Sequence, residues 1–397
     1  MTRSPKHTGT FVRQRLCASC VTNCSRSEGT YMRVSIGIFL GITFAVSATA
    51  NCDFSAVGTR TRRVMQAANV TDGGIIIGTP RGILYKHYYG TYSDASVVAL
   101  ASATKMLSGV RVMQLVDRGV IDLDAAVSTY LPEFTGTKGT MTMREMFSHT
   151  AGYGDDEDSP ILAAPTTLAD AVAYIACCID QPYPPPGAYF SYGGISMQVG
   201  GEVAQVRGHE DWQAGWIAHV GTPLGITTID WQGLGATQNY RIAGGGEASL
   251  PDYARVLAML AGNGVGNGHR ILSPQAVTTL NHLQTANTAL GYSPPAADGG
   301  TAYGIGTWLE PTLFTDADTP VISSIGKFGF TPWVDFGYGY FGALMIEQRT
   351  ETLPTIGTKT HDALLDISGV VRAQLASSCP LVETYDEIFR DGAERLP

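Results

Sequence analysis

Ser102-Ala103-Thr104-Lys105, Tyr192-Gly193-Gly194 and Lys327-Phe328-Gly329 follow one another along a chain of 397 residues. Together they supply a hydroxyl, an amine, a phenol and a second cation, the parts of a serine acyl-transfer site that works without histidine. A serine hydroxyl attacks a carbonyl poorly unless a neighbouring base takes its proton. On a helix, residues i and i+3 lie one turn apart on the same face, so Lys105 reaches the Ser102 Oγ. Ser102 also falls at the start of that helix, where unpaired N–H groups and the dipole favour developing negative charge. Lysine acts as a base only when neutral; burial and a second cation, here Lys327, favour that form. Tyr192 is placed to relay the proton between Lys105, Ser102 and the leaving group. Gly329 lets the backbone approach a substrate closely, with the following N–H, that of Phe330, donating to the oxyanion.

Each motif alone fits a plain structural role: a helix cap, a solvated lysine, a core aromatic, a strand-edge charge. Order and spacing separate the readings. Ser324-Ile325-Gly326-Lys327 is a second S-x-x-K match, but the Gly, Phe and Pro residues that follow deny it a helix, so Ser324 is set aside as a nucleophile. Other chemistries lack their signatures. There is no G-x-S-x-G elbow, no phosphate loop and no dinucleotide fingerprint. The eight histidines form no H-E-x-x-H or other ligand-spaced pair, so neither a metal nor a cofactor is expected. His149, in Phe147-Ser148-His149-Thr150-Ala151-Gly152, reads as a ring that hydrogen-bonds its own loop.

Composition sets the frame. With 44% hydrophobic and 15% charged residues the chain can bury a sizeable core. A net charge of −9 argues against nucleic acid or an anionic membrane as partner. Met32-Arg33, an apolar run over 34–46 and Ala48-Thr49-Ala50 read as a secretory signal over about residues 32–50, too short to span a bilayer. That predicts a periplasmic or secreted protein with no stable membrane span after cleavage, and it leaves open whether Met1 or Met32 is the start. Residues 1–31 carry Cys17, Cys20 and Cys24 without further ligand-spaced cysteines, so no metal site is read there. Export permits disulfides among Cys52, Cys177, Cys178 and Cys379. Cys52 and Cys379 lie near the two ends of the mature chain, where a bond would act as a staple. Of the adjacent Cys177 and Cys178, one is expected buried and one paired or free.

Hydrophobic patterning positions the motifs. Residues 74–78 and 83–89, joined by a Thr-Pro-Arg-Gly turn, predict a hairpin. Residues 101–117 predict a helix, with Met106, Val110, Met113 and Val116 at three- and four-residue steps and Gly119 ending it. Between 122 and 240 no strand pairs are evident; helices are predicted over 142–148, 168–179, 195–206 and 212–220, with a sharp break at Pro184-Pro185-Pro186-Gly187. A helix over 250–262, strand-like runs at 303–309, 321–325 and 341–348, and a closing helix over 360–375 follow. Two β-rich ends around a helical middle imply that the ends meet in one sheet, with the middle inserted as a second lobe and the site between them.

With these residues in place, the chain resembles the β-lactamase-related serine hydrolases: class C β-lactamases, D-alanyl-D-alanine carboxypeptidases and family VIII carboxylesterases. The resemblance covers roughly residues 70–375. It runs from Ser102-Ala103-Thr104-Lys105 through Met113-Gln114-Leu115-Val116-Asp117-Arg118-Gly119, Asp122-Leu123-Asp124 and Tyr130-Leu131-Pro132-Glu133-Phe134. It continues through Met143-Arg144-Glu145-Met146-Phe147-Ser148-His149-Thr150-Ala151-Gly152 to Pro186-Gly187 and Phe190-Ser191-Tyr192. It implies an α/β (α+β) fold, an antiparallel sheet flanked by helices with an inserted helical lobe. A leader over 1–50 then precedes a single domain over 51–397, its α/β part about 53–120 and 245–397 and its helical lobe about 121–244. By similarity Ser102 is the acylated nucleophile, Lys105 its base and Tyr192 the relay. Lys327 and Gly329 line the substrate strand, and the Ser102 and Phe330 N–H groups form the oxyanion hole.

Two departures bear on substrate. Gly194 stands where lactam-handling members usually carry an asparagine that grips a substrate amide. Phe328 replaces a small hydroxyl residue, and with Phe330 and Trp333 it suggests an apolar acyl or alcohol pocket. Both favour small esters or related acyl compounds over lactams. A β-lactamase or D-Ala-D-Ala carboxypeptidase/amidohydrolase of the same fold is the alternative. A non-catalytic protein holding a ligand or cell-wall peptide in the cleft is a third reading, disfavoured by the intact Ser102, Lys105, Tyr192 and Lys327.

Overall fold

Seven strands from the two ends of the chain meet in one antiparallel sheet, in the order β13-β2-β1-β12-β11-β10-β9. The computed structural model describes residues 52–154, 166–297, 299–315, 319–350, 354–376 and 379–385. The signal-peptide reading and the Cys17, Cys20 and Cys24 spacing lie outside the described residues.

The sheet comprises β1 (Gly73–Thr79), β2 (Gly82–Tyr89), β9 (Trp308–Leu309), β10 (Val321–Ser323), β11 (Thr331–Asp335), β12 (Tyr340–Met345) and β13 (Glu383–Thr384). Short pairs accompany it: β3 (Val97–Ala99) with β5 (Glu247–Ser249), β4 (Tyr189–Ser191) with β8 (Ala289–Tyr292), and β6 (Val265–Gly266) with β7 (His269–Arg270). The described helices are α1 (Ser55–Ala68), α2 (Thr104–Asp117), α3 (Met143–Phe147), α4 (Leu168–Cys178), α5 (Ile195–Gly208), α6 (Trp212–Trp216), α7 (Leu250–Ala261), α8 (Pro274–Leu280) and α9 (Ile356–Leu375).

Strand alternation buries both faces of the sheet. Ile75 and Ile77 of β1 and Leu344 of β12 pack with Val57 and Met65 of α1 and with Leu364 and Ile367 of α9. Ile76, Ala343 and Met345 turn the other way, into a larger core that includes α2, α5 and α7. Because successive side chains point to opposite faces, the Gly73–Thr79 strand is apolar throughout and buried at every position.

Helix α2 runs through the centre, buried at every residue from Thr104 to Leu115. Close backbone approach fixes its surroundings: a Cβ at Gly109 would lie 2.4 Å from the Ile305 carbonyl oxygen, and one at Gly306 would lie 2.4 Å from that of Lys105. The segment from Tyr303 to Leu309 is therefore held against the turn of α2 that carries Lys105. On the other side, the Leu100 N–H donates to the Gly246 carbonyl (2.8 Å), the Gly246 N–H donates to Thr104 Oγ1 (2.9 Å), and Ser108 Oγ donates to the Ile242 carbonyl (2.6 Å).

The hairpin, the central helix and the meeting of the two ends match the sequence reading, and several details differ. Helix α1 is absent from that reading, although Val57, Thr61, Met65 and Ala68 form its buried stripe. Strand β11 was obscured by Pro332 and the glycines around it. The run 303–309 is strand only at Trp308–Leu309, because Gly306 sits at φ +75°. Within 122–240, β4 pairs in parallel with β8 from beyond that region. Helix α9 begins at Ile356, four residues earlier than read, where the Thr355 side chain accepts the Thr358 N–H.

Cys52 pairs with Cys379 over a separation of 327 residues. Cys177 and Cys178 pair with each other, and both are exposed at the end of α4; this corrects the expectation of one buried and one paired or free. The long-range bond closes nearly the whole chain into a loop, which restricts the unfolded state. Replacing Cys52 and Cys379 by serine should lower the unfolding free energy by roughly 2–5 kcal/mol. Breaking Cys177–Cys178, which closes almost no loop, should change it little. Denaturant unfolding of the two double-serine variants measures both.

Candidate active site

Ser102 lies in a short 3-10 turn, Ala101–Ala103, that leads directly into α2. The residue before it, Ala101, has φ +46°, a left-handed conformation that alanine adopts only at some cost. Two contacts hold the turn. The Tyr253 hydroxyl donates to the Ala103 carbonyl at 2.7 Å, and the Ser324 hydroxyl donates to the Ser102 carbonyl at 2.9 Å. Ser102 itself is half-buried, and among the described residues its N–H makes no hydrogen bond.

Lys105 is 4% exposed. Its Nζ lies 3.0 Å from Ser102 Oγ and 3.0 Å from the Ala243 carbonyl oxygen. The same Nζ sits 4.5 Å from the centre of the Tyr192 ring, within range for a cation–π contact. Tyr192 arrives from β4, whose register against β8 is extended by a Tyr192 N–H bond to the Tyr292 carbonyl (3.0 Å). The indole of Trp308 stacks on it at 5.2 Å, and Tyr303 and Phe190 complete the aromatic cluster. Ser102 and Lys105 of one motif and Tyr192 of another are thus brought together.

The third motif is arranged differently from the sequence reading. Lys327 is exposed and Phe328 half-exposed in the turn between β10 and β11, with the Arg349 guanidinium 5.4 Å from the Phe328 ring centre. Gly329 has φ +106°, and a Cβ there would meet Ile356 at 2.8 Å, so glycine is required for the turn and its packing. Phe330 is fully buried, with its ring 4.9 Å from that of Tyr253 and its carbonyl accepting the Gly326 N–H. Trp333 is also fully buried, packed over Gly342. The apolar pocket expected from Phe328, Phe330 and Trp333 is not formed by them, because two of the three belong to the core. Gly194 caps α5 and is buried.

The segment that touches the Ser102 turn is instead 324–326: Ser324 bonds the Ser102 carbonyl, and a Cβ at Gly326 would lie 2.4 Å from the Leu100 carbonyl oxygen. Sequence spacing gave no sign of this, since Ser324 and Ser102 are 222 residues apart. Ala243, Trp308 and Ile325 were missed for the same reason. Behind β10, the Ser323 hydroxyl donates to Glu310 Oε1 (2.5 Å), and Glu310 Oε2 lies 3.0 Å from His361 Nε2; this trio ties β10 to α9.

His149 accepts the Gly193 N–H at Nδ1 (3.4 Å), so its ring bonds the segment that carries Tyr192 and not its own loop. Burial, then the nearby Lys105 charge, holds its imidazole well below the usual histidine range. Among the described residues no group of His, Cys, Asp or Glu could hold a metal ion, and no helix is long and apolar enough to cross a membrane.

A family model described as Beta-lactamase matches residues 60–364. Penicillin-binding protein 4 of Amycolatopsis lactamdurans is 27% identical over 150 residues, 36% of this chain and 39% of that protein. Esterase EstB of Burkholderia gladioli is 30% identical over 102 residues, 24% of this chain and 26% of that protein. The matches therefore span well under half the length of these curated relatives. Among solved structures, a putative beta-lactamase from Bacteroides dorei DSM 17855 superposes with a TM-score of 0.72 at 24% identity, covering 82% of this chain and 100% of that one. That likeness establishes the fold.

The buried imidazole has a consequence for stability. Folded His149 stays neutral well below pH 6.5, whereas the unfolded chain takes up the proton near that pH. The unfolded state then binds more protons, so stability falls as pH drops below about 6.5, by up to ~1.4 kcal/mol per pH unit from this group. Unfolding free energies of wild type and His149→Asn, measured from pH 7 to pH 5, should differ in slope by a positive amount up to that value.

Proposed function

The chain belongs to the beta-lactamase family, and from that premise and the geometry at Ser102 we propose that it is an exported serine hydrolase cleaving small esters or related acyl compounds through an acyl-enzyme. The observation that carries this reading is the Lys105 Nζ, buried and 3.0 Å from Ser102 Oγ. The Ala243 carbonyl accepts one amine hydrogen, which fixes the Lys105 nitrogen beside the serine hydroxyl. Ser102 Oγ adds to the ester carbonyl as its proton passes to Lys105. The proton then returns to the leaving alkoxide through the Tyr192 phenol, whose ring lies against the Lys105 amine. Water enters by the same path in reverse to release the acid.

The oxyanion needs two donors. The unpaired Ser102 N–H is one. For the second, the reading of the third motif supports the N–H that follows Gly329, that of Phe330.

Substrate preference follows from the walls. Trp308, Tyr192 and Ile325 belong to one apolar cluster next to Lys105, and Gly194 offers no side-chain amide. Both support a neutral ester, in keeping with the esterase relative. The penicillin-binding relative supports the second reading, a β-lactamase or D-Ala-D-Ala peptidase. We take the working enzyme as the single domain 51–397, with its helical lobe at about 121–244, released by cleavage of the signal over 32–50 and acting in the periplasm or outside the cell.

Hydrolysis of p-nitrophenyl butyrate and of a chromogenic cephalosporin by the protein from Asn51 onward tests the proposal. Ester turnover should exceed lactam turnover, and Ser102→Ala should lower it by at least about 10³-fold with the fold intact. Lys105→Ala should be nearly as damaging. Retained activity in Ser102→Ala would remove the assignment, and faster cephalosporin turnover would place the lactamase reading first.

A further inference from the structure

His149 takes part in none of the steps above, yet the fold builds it into the same place. Its backbone sits at φ +60°, in the left-handed region that histidine enters at some cost. That conformation aims both its carbonyl and its ring at one segment. The carbonyl accepts the Ser191 N–H at 2.8 Å, and Nδ1 accepts the Gly193 N–H at 3.4 Å. These two N–H groups flank Tyr192 in sequence, so one residue grips the backbone on both sides of the phenol. The second bond is long, and its value is directional more than energetic.

The ring contributes as well. Its centre lies 4.5 Å from that of Tyr192 and 4.8 Å from that of Tyr303, leaving Tyr192 between the imidazole and the stacked indole of Trp308. With Nδ1 accepting, the neutral imidazole carries its proton on Nε2, and Nε2 is buried without a hydrogen-bond partner. A buried donor left unsatisfied costs stability. An apolar side chain would fill the space without that cost, so packing alone does not account for histidine here.

We propose that His149 is the positioning residue for Tyr192, fixing residues 191–193 from both sides so that the phenol stays against the Lys105 amine. The assignment rests on the reading of Tyr192 as the proton relay, and it predicts which property of the side chain matters. His149→Phe keeps a ring and loses the acceptor. His149→Asn tolerates a left-handed φ and places an amide oxygen close to the Nδ1 position. His149→Gly, free to adopt φ +60°, replaces the Phe variant if that one fails to fold.

Two measurements decide the matter. The first is ester turnover in wild-type and Tyr192→Phe backgrounds. His149→Phe should lower kcat by about tenfold or more with KM little changed, and Asn should recover much of the loss. In the Tyr192→Phe background the same change should add no further loss, since both act through one group. The second is amide hydrogen exchange over residues 190–194, which does not depend on any substrate. Exchange should rise in the Phe or Gly variant and stay near wild type in Asn. An unchanged kcat, a full multiplicative loss in the Tyr192→Phe background, or unchanged exchange would each overturn the proposal. Failure of the wild type to turn over any ester would refute the functional reading, and the exchange result would still decide the role of His149.

Discussion

A lysine amine buried against a serine hydroxyl is the constraint from which the rest of this structure can be understood. Removing an amine from water is costly unless polar partners replace the solvent. Lys105 therefore needs the Ala243 carbonyl as well as Ser102 Oγ. Supplying that carbonyl requires residues 242–246 to lie along α2, which the bonds from Leu100, Ser108 and to Thr104 enforce. The opposite flank requires the glycine contacts at 109 and 306, which press the 303–309 segment onto the same turn and deliver Trp308 to Tyr192. The inserted helical region, the sheet edge and the central helix each contribute one wall to a single amine.

Legibility from sequence tracked the range of the interaction. Ser102 and Lys105 are three residues apart, in a 3-10 turn and the helix that it runs into, so their meeting follows from local geometry. Tyr192 was legible through its motif and its position after a Pro-Gly break, although the strand that places it was not, because β4 has three residues and its partner lies about a hundred residues downstream. The third motif shows where local reading stops. Lys327-Phe328-Gly329 has the composition of a substrate strand but forms a turn, and the neighbouring Ser324, set aside for lacking a helix, bonds the Ser102 carbonyl. Its extended backbone disqualifies it as half of a helical pair; the same backbone lets it reach across the sheet edge.

The apolar wall offers a similar lesson. Phe328, Phe330 and Trp333 are aromatic and close to the motif in sequence, yet strand alternation and a tight turn send Phe330 and Trp333 into the two cores. The aromatic surface beside the amine comes instead from Tyr192, Trp308 and Tyr303, drawn from elements that no short window contains. Lys327, read as a second cation for the site, stands exposed on the turn between β10 and β11.

The central claim is that Lys105 makes Ser102 a nucleophile. The most direct test is to expose the protein to an alkyl fluorophosphonate, a reagent that labels activated serines, and to map the adduct by mass spectrometry. The account predicts a single phosphonyl group on Ser102, lost in Ser102→Ala and strongly slowed in Lys105→Ala. An adduct on Ser324 or any other residue, or labelling of Ser102 that is indifferent to Lys105, would contradict it.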